Sequence, residues 1–108
     1  MTTDSAEMQK AKLNLETAQV AWSELQRFFA QGSVIWVDET LDMVEVAHSI
    51  AQDDSGTIKK WMDKNQVAQV SDEQAKNWLA KDTWLWSVVV RPLVLVQKIR
   101  DSQSPQSG

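Results

Sequence analysis

The sequence predicts an α+β fold made of one long N-terminal helix, a small sheet of about three strands and three shorter helices. Apolar residues near the N-terminus recur at helical spacing for about three heptads. The stretch from Trp84 to Val96 is apolar on both sides of an extended chain, and between the two lie short amphipathic runs opened and closed by cap residues. With 108 residues, 43% of them hydrophobic and 24% charged, the chain suits a single globular domain over residues 1–100. A polar, disordered tail is expected over 101–108.

Met8, Ala11, Leu15, Ala18, Trp22, Leu25 and Phe29 are spaced alternately three and four residues apart, which predicts one helix from about Ser5 to Ala30. At 1.5 Å per residue it would be roughly 39 Å long, more than its own domain can enclose. Leu13 and Val20 fall on the opposite side of that helix. They would form a second, thinner apolar stripe facing a partner. Gly32, just past the last periodic residue, is placed to end the helix in a left-handed conformation.

Ser33 to Val37, SVIWV, is β-branched and apolar enough for a short central strand. Asp42 opens a helix running to Gln52, with Met43, Val46, Ala47 and Ile50 inward and a capping box expected between Asp42 and Glu45. The turn from Asp53 to Thr57 leads to a helix over 57–65, with Ile58, Trp61 and Met62 inward and Asn65 as its stop. Gln66 to Val70 alternates like a half-buried strand. Ser71 and Gln74 then make a second capping box, opening a short helix with Ala75, Trp78 and Leu79 inward. In the last stretch Val88, Val89 and Val90 put apolar side chains on both faces of a strand, so both faces must be covered. Pro92 has no amide hydrogen for a ladder, and a bend there divides Trp84–Val90 from Leu93–Val96. With Arg91 in its middle, this stretch is too short and too charged to span a bilayer, and no membrane contact is expected.

The net charge of −4 conceals an asymmetry. Residues 1–56 carry three basic and ten acidic side chains (−7), and residues 57–108 carry eight basic and five acidic (+3). No Lys or Arg lies between Arg27 and Lys59, where Asp38, Glu39, Asp42, Glu45, Asp53 and Asp54 all fall. Such segregation reads either as two differently charged wet faces or as a contact in which the halves of two copies meet. The N-terminal MTTDSAEMQK has acids where a secretory signal needs positive charge, so a cytoplasmic setting is expected. The absence of cysteine excludes disulfides, thiolate metal sites and cysteine nucleophiles.

The chemical motifs are sparse. His48 is the lone histidine, and a triad or metal site would need it beside carboxylates that any polar helix face offers. Asp53, Ser55 and Thr57 resemble the start of a calcium loop, but Lys64 stands where that loop needs a bidentate Glu. Three glycines leave no phosphate-binding loop. No catalytic residue, metal or cofactor is therefore expected. The six tryptophans are foremost core residues; Trp84 and Trp86, which share one strand face, are the pair to line an exposed groove or subunit contact. The order of helices and strands is compatible with a winged-helix topology, in which the helix over 57–65 would present Lys59, Lys60 and Lys64 to phosphates. The acids preceding that helix oppose nucleic-acid binding.

ETAQVAWSEL at Glu16–Leu25, FFAQG at Phe28–Gly32, LDMVEVAHSIAQDD at Leu41–Asp54 and VVVRPLVLVQ at Val88–Gln97 together resemble the small bacterial proteins grouped as domain of unknown function 2288. The likeness spans nearly the whole chain, and the VVV-x-P-x-VLVQ ending is its most specific piece. This chain departs from the family pattern at Leu93, where a Trp often follows the proline, and at Lys98, where an acid often follows the Gln. The resemblance implies a bacterial cytosolic protein and brings no activity, cofactor or catalytic residue. The expectation is a non-enzymatic domain acting by protein–protein association, with itself as a homodimer or with another cytosolic protein. Leu13, Val20, Trp84, Trp86, Arg91 and Pro92 are its interface candidates, and nucleic-acid binding through Lys59, Lys60 and Lys64 is the alternative.

Overall fold

The apolar C-terminal stretch folds into a hairpin, strands β4 (Trp84–Val90) and β5 (Leu93–Lys98), with Arg91 and Pro92 as the turn between them. The expected bend is a full reversal, so one apolar run supplies two neighbouring strands. The computed structural model describes residues 8–13 and 16–99; Leu15 and the tail at 101–108 lie outside them. Ahead of the hairpin come helix α1 over residues 8–13, strand β1 (Ala18–Ala21), a 3-10 turn (Trp22–Leu25), helix α2 (Gln26–Ala30) and strand β2 (Val34–Val37). Helices α3 (Met43–Ala51) and α4 (Ser55–Asp63), strand β3 (Val67–Gln69) and helix α5 (Asp72–Ala80) follow.

The strands form one five-stranded mixed sheet in the order β1-β4-β5-β2-β3. Only β2 and β5 pair in parallel; the other pairs are antiparallel. Alternation along each strand feeds two separate cores. On one face Leu85, Val94, Val96 and Val34 pack with Trp22 and Leu25 of the 3-10 turn and Ala75 of α5. On the other, Val88, Leu95, Val37 and Val67 pack under Met43, Val46 and Ala47 of α3, with Trp61 of α4 at the margin. The consecutive apolar residues of β4 are thus explained by a layer of helices on each side of the sheet.

Three expectations are corrected. No long N-terminal helix forms: helical residues are described at 8–13 and at 16, and Ala18–Ala21 is a strand that pairs with Trp84–Ser87 of β4. Pairing satisfies the outer edge of β4, which a helix could not do. Thr17 marks the change, its hydroxyl donating to the Leu13 carbonyl at 2.8 Å, a local bond that competes with helix continuation. The sheet has five strands and not about three, because the heptad spacing of residues 18–21 also suits a helix and the one apolar run at the C-terminus supplies both β4 and β5. The winged-helix topology is excluded by the parallel β2–β5 pair inside a five-stranded sheet.

The local signals hold where they are local. Gly32 has φ 74° and Asn65 φ 58°, both in the left-handed region. Ser71 and Gln74 make the reciprocal capping box. The box at Asp42 does not form, since the Asp42 carboxylate accepts from Val44 N and Glu45 pairs with Lys10 at 3.0 Å instead.

Candidate functional site

Strands β2 and β5 run in parallel and deliver their C-terminal ends to the same edge of the molecule. The crevice beyond the carboxyl ends of parallel strands is a recurrent place for ligands. Here the chain leaves β2 through a loop, Asp38–Asp42, that crosses to the start of α3, and β5 ends at Gln97 and Lys98. Between them and β4 opens a cleft of about 600 Å³. Trp86 lines it from the sheet, Leu41 and Met43 from the loop and helix, and Glu39, Asp42 and Lys98 carry its charges.

One side chain, Gln97, ties both ends of the loop wall. Gln97 Nε2 donates to the Asp38 carbonyl at 2.9 Å and to the Leu41 carbonyl at 2.7 Å. The Asp38 carboxylate accepts from Thr40 N at 3.0 Å and from the Thr40 hydroxyl. That hydroxyl accepts in turn from Gln66 Nε2 at 3.3 Å. The Thr40 hydroxyl, and after it the Thr40 amide, holds the Asp38 carboxyl below its ordinary value of 3.8. A depressed folded value stabilises the fold above the unfolded value, and that stability is lost as pH falls through the folded one. Acid titration below the ordinary value should therefore loosen this loop first. Amide exchange of Thr40 and Leu41 rising ahead of exchange in β4 would confirm this, and simultaneous rise would contradict it.

Trp84 stands two residues before Trp86 on the same face of β4, and at 52% exposure it is the most open of the tryptophans. The other five are buried or packed against the two cores. On that strand face Trp86 lies in the cleft and Trp84 is open beside it. The remaining interface candidates do not join them. Leu13 packs against the core containing Val37 and Met43, while Val20, opposite Leu85, packs against the other core. The outward stripe is thus absent, because the two residues belong to different elements and turn inward on opposite faces of the sheet. Arg91 and Pro92 are exposed in the hairpin turn, at the far end of β4, roughly 20 Å from Trp84 at about 3.4 Å per residue.

Lys59, Lys60 and Lys64 are all exposed, two on α4 and the third at its C-cap. His48 is half-buried on α3, its Nε2 3.2 Å from Gln9 Oε1, which also accepts from Gln52 Nε2 at 2.8 Å. Among the described residues no group of three or more His, Cys, Asp or Glu could hold a metal ion, and no helix is long and apolar enough to cross a membrane. Sequence reasoning missed Gln97. The available signal was a lone amide at the end of an otherwise apolar strand, and its meaning depends on a loop that arrives from 55 residues upstream or more.

A mixed sheet between two helical layers, with a tryptophan-lined cleft at the ends of its parallel strands, characterises the domain. The chain belongs to the DUF2288 family, proteins of unknown function, whose model matches residues 8–98. This agrees with the resemblance carried by the quoted segments. Its fold is similar to the solution NMR structure of PA1075 from Pseudomonas aeruginosa, with 41% identity, 87% of each chain covered and a TM-score of 0.77. No curated protein matches the chain.

Proposed function

We propose that the protein acts in the cytoplasm by association, with itself first of all, and not by catalysis, using the Trp84–Trp86 face and the adjoining cleft as its contact surface. The observation that supports this reading is the half-exposed Trp84 beside a cleft lined by Trp86. Trp84 belongs to neither core, and tryptophan is enriched among the residues that carry binding energy at interfaces. The wall facing it is preorganised by the Gln97 bonds, which lowers the ordering cost of a partner. The exposed lysines of α4 support the alternative of nucleic-acid binding, but Asp53 and Asp54 at the start of that helix oppose a phosphate backbone.

Solution mass across a concentration series tests the reading. The wild-type chain should pass from monomer to dimer as concentration rises. Trp84→Ser should shift that transition at least about tenfold upward, the effect of losing about 1.4 kcal/mol of contact energy, with unchanged far-ultraviolet circular dichroism. A monomer at every concentration would overturn the reading, and a variant that associates as tightly as wild type would remove Trp84 from the surface.

A further inference from the structure

The proposed contact surface is acidic at its rim. Glu39 and Asp42 border the cleft, and both lie in the interval from Arg27 to Lys59 that contains no Lys or Arg. Among the described residues Lys98 is the one cation lining the cleft, and it already stands 3.9 Å from Glu39. A partner that fits must bring positive charge around an apolar anchor able to lie against an indole.

The same chain carries such a patch. Helix α4 exposes Met62 at 52% next to Lys59, one helical turn before it, while Lys60 and Lys64 lie round the helix on the opposite flank. The ion pairs among the described residues are Lys10–Glu45 and Lys98–Glu39, so Lys59 is not neutralised there. A methionine thioether packs favourably at the edge of an aromatic ring, and lysine stems lie along apolar surface while their ammonium groups reach acids or the indole face. Met62 and Trp84, each half-exposed in one copy, would cover one another in two.

Resting on the proposed association, we infer that the cleft of one copy receives the Lys59–Met62 flank of helix α4 of a second copy, Met62 and Lys59 of one meeting Trp84, Glu39 and Asp42 of the other. Helices α3 and α4 cover the same face of the sheet, and the cleft opens at the start of α3. The two patches therefore allow the contact to be made twice about a two-fold axis, which closes a dimer instead of extending a chain.

A charge exchange tests this. One variant carries Glu39→Lys with Asp42→Asn, which keeps a residue able to cap α3; the other carries Lys59→Glu. Each alone should dissociate at least tenfold more readily than wild type by sedimentation. An equimolar mixture should recover a heterodimer, because the basic cleft of the first then meets the acidic helix of the second. A lysine variant that dimerises as tightly as wild type overturns the inference. If Trp84→Ser dissociates the dimer while the lysine variant does not, the inference falls and the proposed contact surface stands. If wild type never associates, both fall.

Discussion

Trp22→Ala is expected to cost about 3–5 kcal/mol of stability, the range for emptying an aromatic site in a packed core. Trp22 is 1% exposed, and its ring meets Phe29 edge-on at 5.6 Å and Trp78 at 5.2 Å. It joins the 3-10 turn, α2 and α5 into one layer over Leu85, Val94 and Val96. Alanine would leave a cavity that three short elements of different direction cannot close together. Since domains of this size are stable by only about 5–15 kcal/mol, the variant should unfold at much lower urea than wild type. A loss under about 1 kcal/mol would mean that this layer repacks freely.

Gln97→Leu is expected to cost about 1–3 kcal/mol, although the two side chains have similar volume. The substitution removes the one group that donates to both the Asp38 and Leu41 carbonyls, and Gln97 is half-buried. The Asp38 carbonyl still accepts from Leu41 N at 3.1 Å, whereas the Leu41 carbonyl would have to find water. An acceptor left without its partner costs more than the hydrogen bond itself contributes. The urea midpoint should fall and the Leu41 amide should exchange faster, while amides of β3 keep their protection. An unchanged midpoint would show that the loop stands without Gln97.

The contrast between these two residues shows what the sequence makes legible. Trp22, Leu25 and Phe29 were placed on one apolar stripe by their spacing, and they do pack together. The inference of a continuous helix failed because spacings of three and four residues are also met by a 3-10 turn followed by one short helix. Ala18 to Ala21 become a strand through pairing with Trp84–Ser87, more than 60 residues away, and no window around Val20 contains that information. Elements set by their own neighbours were readable. Asn65, Ser71 with Gln74, and the division at Pro92 all act within a few residues, and the structure keeps each of them.

Burial at helix margins was less legible. Met62 and Leu79, expected inward, are about half exposed, since each lies at the edge of its apolar stripe. For the cleft, the pairing of Trp84 with Trp86 on one face followed from strand alternation alone. The loop wall did not, because it depends on the parallel β2–β5 register that sets Gln97 beside Val37 and the following loop.

The most direct test of the account is a dilution series followed by amide and indole chemical shifts of the wild-type chain. The account predicts that the indole N–H signals of Trp84 and Trp86 and the backbone amides of Glu39, Thr40 and Val44 move together with concentration, while those of Trp22 and Trp78 on the other face of the sheet stay fixed. Shifts confined to the Arg91–Pro92 turn, or none over the whole range, would contradict it.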